Sequence, residues 1–229
     1  MTVAQYSPSL VDGFPMPGSA EQHRSDPVEI LDTTELRWFV PGLLPAEIDG
    51  WFTGPAGFHQ ERRDTYLIDS HLDGRCDVGV KRRFGETLEL KVRRSLDAGV
   101  ELGDGLAGPL EVWRRWSPAD GLVEVDADAR CVEVCKSIVK RRFSTNGSEI
   151  EFSLGALGAS SGCDVEIAAV TVGSRRWWTF AFAAFGPIAT RRDALLAAWQ
   201  GLVAASPCPS PLTAGAGRAM GYPEWLALT

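Results

Sequence analysis

Histidine is scarce in this chain of 229 residues, and long apolar runs are lacking. His59 and His71, two of the three histidines, lie in or beside predicted loops without a ligand or catalytic partner nearby, so we expect surface residues. No apolar run approaches the roughly 20 residues that a membrane helix needs. The sequence therefore predicts a soluble protein without a membrane partner.

The five cysteines form no paired framework. Cys131 and Cys135 fall on one face of a predicted strand, but no further ligands accompany them. Two half-buried thiols are therefore expected rather than a zinc site. No charged-then-apolar leader is visible at the N-terminus. Together these features favour a reduced, cytoplasmic chain.

Positive charge is concentrated in the middle of an acidic chain. The formal net charge is -7, yet all four lysines and nine arginines lie between residues 81 and 142. Nucleic acid normally requires a broad basic surface, whereas a local basic cluster suits a compact anion. We expect an anionic small-molecule partner and no nucleic acid, and the oligomeric state stays open.

Residues 76–94, CDVGVKRRFGETLELKVRR, predict a β-hairpin. Two alternating runs flank Phe84-Gly85-Glu86, where glycine permits a tight turn. One face carries valines and leucines, and the other carries Asp77, Gly79, Lys81, Arg83, Glu89, Lys91 and Arg93. Like charges that face each other destabilise a sheet, so the charged face indicates a bound anion or interleaved carboxylates. A hairpin whose charged face lies in water is the alternative.

Other alternating runs extend this pattern along the chain. The further predicted strands are TELRWFV (34–40), RDTYLIDSHL (63–72), LEVWRRWS (110–117), CVEVCKSIVKRRFS (131–144), SEIEFSL (148–154), CDVEIAAVTVG (163–173) and RRWWTFAFAAFG (175–186). Helical spacing predicts one short helix at residues 44–52 and a longer one at 189–205. About eight strands with few helices predict a mainly β protein, an antiparallel eight-stranded sheet closed into a barrel or tunnel.

Glycine and proline mark the expected loops and boundaries. Residues 53–62 are turn-rich, and residues 97–109 carry four glycines and a proline, so both are predicted as loops. The chain divides into a flexible tail (1–30), a barrel domain (31–205) and a C-terminal strap (206–229) that packs on the barrel.

Charged faces that point into such a barrel would bring bases and acids together. The bases concerned are Lys81, Arg83, Lys91, Arg93, Arg115, Lys136 and Arg142, and the acids among them are Glu35, Glu89 and Glu166. The inward face of the strand with Arg115 is not fixed by its pattern. Such a lumen is stable only if the charges compensate each other and water or a ligand fills the rest. Polyphosphate matches this chemistry, with bases on its oxygens and carboxylates on divalent metals.

The segments ELRWF, GVKRR, LELKVRR, VCKSIVKRR, CDVEIAAVTV and WWTFAFAAFG resemble, in order, the strands of the CYTH superfamily. This superfamily comprises triphosphate tunnel enzymes such as class IV adenylyl cyclases, thiamine triphosphatases and inorganic tripolyphosphatases. The resemblance spans residues 33–205 and rests on the order and alternation of the segments. It implies an eight-stranded tunnel, Mg or Mn, and triphosphate hydrolysis or cyclisation.

By this resemblance the seven bases would bind the substrate, Glu35, Glu89 and Glu166 would hold metal, and Glu35 and Glu166 would be catalytic. The pattern also departs from the family. Its first strand reads Glu-x-Glu-x-Lys, where this chain has Glu35, Arg37 and Phe39. Ala168 and Ala183 or Ala184 stand where further carboxylates are expected. Lost metal ligands would remove the bridging charge and the activated water.

The expected function is therefore a triphosphate-binding tunnel, with metal-dependent triphosphate hydrolysis if the degenerate metal site still works. One alternative is a non-hydrolytic barrel that binds or transforms an anionic or aromatic small molecule in a biosynthetic pathway. The residues that favour it are Trp38, Trp113, Trp116, Trp177 and Trp178. The other alternative is a structural module whose charged hairpin face is exposed to water.

Overall fold

The computed structural model describes residues 28–54, 57–68, 75–83, 87–103, 105–117, 130–152, 160–210, 212 and 217–229. Most of the predicted N-terminal tail lies outside these residues, as do His71 and the Phe84-Gly85-Glu86 connection. His59 is described and is exposed, as expected.

Nine strands and three helices lie in this described part of the chain. The strands are β1 (Glu29–Pro41), β2 (Phe58–Leu67), β3 (Val78–Arg83), β4 (Thr87–Gly103), β5 (Leu106–Ser117), β6 (Cys131–Phe143), β7 (Glu149–Ile150), β8 (Gly162–Val172) and β9 (Arg175–Phe185). The helices are α1 (Ala46–Phe52), α2 (Ile188–Ala205) and α3 (Tyr222–Leu228). None of these helices is long and apolar enough to cross a membrane.

The strands form a closed antiparallel barrel, which confirms the predicted fold class. Their order is β2-β3-β4-β5-β1-β9-β8-β6, and pairing of β6 back to β2 closes the ring of eight. The short β7 pairs only with the end of β6, at Arg142 and Phe143. Closure leaves these eight strands without a free edge along their paired length.

The larger apolar core lies outside the barrel. Alternation along β1 directs Leu36 and Trp38 outward, where they pack with the outward faces of β8 and β9 and with both α1 and α2. Helix α2 contributes Leu195, Trp199 and Leu202, part of the apolar stripe that its sequence predicts. Helices therefore cover the outer faces of β1, β8 and β9, whereas outward residues of β2 such as Glu61 and Arg63 are exposed.

A smaller apolar cluster fills one end of the barrel interior, and α3 closes that end. The ring of Trp225 stacks on Phe39, with centroids 4.5 Å apart. The preceding segment adds to β1, because the Met220 amide donates to the Arg37 carbonyl at 2.8 Å. At Gly221 an added Cβ would lie 2.9 Å from both Glu111 and Trp113, so only glycine allows the helix to approach β5 this closely.

Two predicted loops are wrong. Strand β2 begins at Phe58, inside the segment predicted as turns. Within residues 97–109, β4 extends to Gly103 and β5 begins at Leu106, and the two strands are paired. Register shifts accommodate its glycines, and the alternating Val100, Leu102 and Leu106 bury against the outer core. The glycines of this segment lie in a bulged strand pair. Burial of the apolar face outweighs the weak strand preference of glycine.

Candidate functional site

The barrel encloses a cavity of about 200 Å3. Gly221, Tyr222 and Pro223 bound it at the end closed by α3, and inward residues of the strands form the rest of its wall. Small side chains on β9, Ala181 and Ala183, leave the room for it. Where the resemblance led us to expect a carboxylate, Ala183 instead provides space.

Cations outnumber carboxylates on the wall of this cavity. Among the described residues the lining cations are Arg37, Arg62, Lys81, Arg83, Lys91, Arg115, Lys140 and Arg142. The lining carboxylates are Glu35, Glu89, Glu111, Asp164 and Glu166. An acidic protein thus surrounds a lumen with three more positive than negative groups.

Five of the seven predicted substrate-binding residues line the cavity: Lys81, Arg83, Lys91, Arg115 and Arg142. The other two, Arg93 and Lys136, point to the interior but are not on the cavity wall. Arg93 Nη1 lies 2.5 Å from Glu111 Oε1 and 3.8 Å from Glu224 of α3. Lys136 lies behind the rings of Tyr66 and Tyr222.

Sequence reasoning missed three lining cations, Arg37, Arg62 and Lys140. Lys140 shares the alternation of Lys136 and Arg142 on β6, so its face was predicted although its role was not. Arg62 was missed because its segment was predicted as turns. It faces inward because it pairs with Lys136 across β2 and β6.

Cross-strand register arranges the lumen in rows. One row holds Glu35, Ala183, Asp164 and Arg142, and the next holds Arg37, Ala181, Glu166 and Lys140. Arg142 donates two hydrogen bonds to the Asp164 carboxylate, at 2.6 and 2.9 Å. Each row therefore places acids beside bases, which lowers the cost of burying either.

The three predicted metal carboxylates are each bound by cations. Lys91 Nζ lies 2.7 and 2.6 Å from the two oxygens of Glu35. Glu166 is held by Arg37 at 2.9 Å and by Lys140 at 3.2 Å. Glu89 contacts Lys81 at 3.1 Å and Arg83 at 2.5 Å.

These carboxylates do not fit a divalent metal. The described residues contain no group of three His, Cys, Asp or Glu side chains that could hold an ion. A cation would also have to displace lysine or arginine from each carboxylate, and several positive charges would remain nearby. We therefore derive no chemical step through Mg or Mn.

The same ion pairs weaken Glu35 and Glu166 as bases. Burial alone would raise the pKa of Glu35, but the charge and hydrogen bond of Lys91 outweigh it and lower the pKa. Burial likewise opposes ionisation of Glu166, yet Arg37 and Lys140 hold its pKa well below the ordinary value. A carboxylate with a lowered pKa accepts a proton poorly, so the arrangement favours binding over proton transfer.

A second cluster lies against α3, around the fully buried carboxylate of Asp64. Its oxygens lie 2.8 Å from Lys136 Nζ, 3.3 Å from Lys81 Nζ and 3.2 Å from Arg62 Nε. Lys136 also donates to the Tyr66 hydroxyl at 3.0 Å. Three cations thus share one carboxylate.

The pKa shifts in this cluster reflect that imbalance. Despite burial, the surrounding cations lower the pKa of Asp64 to about 2. For the lysines, burial dominates: it lowers the pKa of Lys81 to about 8, and burial with the neighbouring Lys81 lowers that of Lys136 well below its ordinary value. The surroundings stabilise the charged form of the carboxylate and destabilise the charged forms of the lysines, because the cluster holds three cations and one carboxylate.

A scan against protein-family models and a search of curated proteins both find no match for this chain.

Proposed function

We propose that this barrel is a divergent CYTH-type tunnel that binds a compact polyanion of the polyphosphate class in its lumen, without a resident divalent metal. The observation that carries the proposal is the excess of cations on the cavity wall, eight against five carboxylates among the described residues. Buried like charges repel each other, and an anion between them removes this cost.

Phosphate is the anion that this wall suits best. Guanidinium and ammonium groups are the side chains that bind phosphate oxygens most strongly, and several of both kinds face one space. The cavity is smaller than the roughly 300–1,000 Å3 of pockets for drug-sized ligands. A short phosphate chain therefore fits better than a bulky organic molecule or a long polymer.

The proposed activity is binding alone. Metal-dependent hydrolysis would be an additional activity. Without a metal, the lumen supplies electrostatic stabilisation but no activated water. We propose no metal because lysines and arginines already form ion pairs with Glu35, Glu89 and Glu166.

A second candidate is a phosphate ester that carries an apolar or aromatic group. It is favoured by Leu31, Phe185 and Trp113, which line the same cavity. Such a ligand would place its phosphates against the bases and its organic part against these side chains. ATP and thiamine triphosphate represent this class.

Thermal unfolding tests both candidates, because a ligand that binds only the native state raises the midpoint. Tripolyphosphate, ATP and thiamine triphosphate are each added with EDTA, with Mg or with Mn, and sodium chloride at equal ionic strength is the control. We expect tripolyphosphate to raise the midpoint in EDTA. At a concentration one hundred times Kd, the ligand should add about 2.7 kcal/mol to the free energy of unfolding.

A larger shift with ATP or thiamine triphosphate than with tripolyphosphate would favour the second candidate. A shift that requires Mg or Mn would overturn the metal-free proposal and call for a phosphate-release assay. No shift with any phosphate would overturn both candidates.

A further inference from the structure

The arginines of the lumen differ in whether a carboxylate accepts a hydrogen bond from the guanidinium group. Within the described residues most are bound directly by a carboxylate. These pairs are Arg37 with Glu166, Arg83 with Glu89, Arg93 with Glu111, Arg115 with Glu29 and Arg142 with Asp164. In each of them at least one guanidinium nitrogen donates to a carboxylate, although the Nε atoms of Arg83 and Arg115 are buried without a partner in the described part of the protein.

Arg62 is the exception. Its one ion-pair contact with a residue in the described ranges is from Nε to Asp64 Oδ1 at 3.2 Å, and the two atoms are not aligned as a hydrogen bond. Neither terminal nitrogen of Arg62 donates a hydrogen bond to any residue that the structure describes. The side chain is only 7% exposed, yet it lies on the cavity wall. A guanidinium this buried normally has its donors satisfied.

Arg62 shares Asp64 with two lysines. Lys136 and Lys81 both contact Asp64 Oδ2, at 2.8 and 3.3 Å. Lys81 also contacts Glu89, but that carboxylate is bound by Arg83 as well. Around Asp64 and Glu89, four cations, Arg62, Lys81, Arg83 and Lys136, therefore share two carboxylates.

Tyr222 of α3 adds a second unpartnered polar group beside Arg62, and Asp64 Oδ1 is likewise buried without a hydrogen bond among the described residues. The Tyr222 hydroxyl is buried and has no hydrogen-bond partner in the described part of the protein. Tyr222 and Arg62 line the same cavity, and the charge of each affects the pKa of the other. Unpaired donors from both β2 and α3 thus gather at one end.

We infer that Arg62 anchors the innermost oxyanion of the bound ligand, at the end of the lumen closed by α3, with Lys81 beside it. This inference rests on the proposed function and names the residue that contributes most to it. A planar guanidinium with free donors binds two oxygens of one phosphoryl group side by side, which an arginine already bound to a carboxylate does less well. The remaining phosphates of the ligand extend towards Lys91 and Lys140.

Calorimetric titration with tripolyphosphate tests the inference. Wild type is compared with Arg62→Gln, which removes the charge, and Arg62→Lys, which keeps the charge but not the paired donors. Arg114→Gln is the matched control, because Arg114 forms a two-hydrogen-bond pair with Asp32 and is not among the residues on the cavity wall. The unfolding midpoint without ligand checks that each variant is folded.

We expect Arg62→Gln to weaken binding by roughly 10- to 100-fold, the effect of losing hydrogen bonds to a charged group. Arg62→Lys should weaken it by about 3- to 10-fold, and Arg114→Gln should bind like wild type. If wild type binds but both Arg62 variants bind equally well, the inference is wrong and the proposed function stands. If wild type binds no phosphate, both are wrong. If Arg62→Gln does not fold, Arg62→Lys decides alone.

Discussion

The ammonium group of Lys136 lies 3.7 Å from the centre of the Tyr222 ring. This contact joins the barrel wall to α3 at the chain terminus, across 86 residues of sequence. The same ammonium group donates to Asp64 and Tyr66 on β2. The end of the barrel closed by α3 therefore contains one polar cluster, to which α3 contributes Tyr222.

Replacing Tyr222 by alanine is expected to destabilise the fold by about 3 kcal/mol, because it removes a packed ring and a desolvated cation–π contact. Urea unfolding measures the change. Leu228→Ala in the same helix is the control. Its side chain is 64% exposed, so a change within about 0.5 kcal/mol is expected. Equal effects for the two variants would show that α3 is not held by Tyr222.

Asp64→Asn should destabilise the protein by about 3 kcal/mol and make it dependent on anions. The substitution leaves Arg62, Lys81 and Lys136 around a neutral amide, and buried unpaired charge is costly. Tripolyphosphate should therefore raise the unfolding midpoint of this variant more than that of wild type.

Asp32→Asn provides the comparison for Asp64→Asn. It removes the partner of Arg114 at a half-exposed site, where a loss of at most about 1 kcal/mol is expected. Its response to tripolyphosphate should equal that of wild type. An equal response from Asp64→Asn would contradict the assignment of the cation cluster.

Stability is expected to rise with pH just above neutrality. Burial lowers the pKa of Lys81 from 10.5 to about 8, so between these values the unfolded chain binds this proton more strongly than the folded one. The free energy of unfolding then increases by about 1.4 kcal/mol per pH unit in that interval.

Urea unfolding between about pH 7 and about pH 9 would detect this slope, because burial raises the pKa of the Cys163 thiol and this thiol and the tyrosines oppose the slope above that range. Lys81→Met should show a smaller slope, and saturating tripolyphosphate should flatten the slope in wild type because an anion favours the charged lysine. Stability that falls across this interval would contradict the lowered pKa.

Two helical glycines should respond to alanine with opposite signs. A Cβ on Gly201 of α2 would lie 2.0 Å from the Gly147 carbonyl oxygen, so Gly201→Ala should destabilise by about 2 kcal/mol. A Cβ on Gly50 of α1 would meet no atom within 4 Å. Gly50→Ala should therefore stabilise by about 0.5–1 kcal/mol through helix propensity. Thermal unfolding of both variants checks the signs, and stabilisation by Gly201→Ala would refute the close packing of α2 on the turn at Gly147.

Most of the strands, their two faces and the closed barrel are predictable from the sequence, although the start of β2 and the outer part of the β4–β5 pair were predicted as loops. Alternation along residues 76–94 separated Val80 and Leu90 from Lys81 and Lys91, and closure of the sheet placed the charged face inside, as predicted. Periodicity is a local property, so it can be read without knowing which strands are neighbours. The roles of Glu35, Glu89 and Glu166 as metal ligands and of the predicted bases in substrate binding stay predictions.

The tertiary structure alone decided which charges meet. Asp64, 72 residues before Lys136, contacts its ammonium group because β2 and β6 close the ring, and Arg62 faces the lumen for the same reason. Sequence patterns carry no register between distant strands, and a shift of one residue would turn each side chain to the other face. The same limit applies to α3, because Gly221 lies against Trp113 and Trp225 stacks on Phe39 only after the barrel has closed.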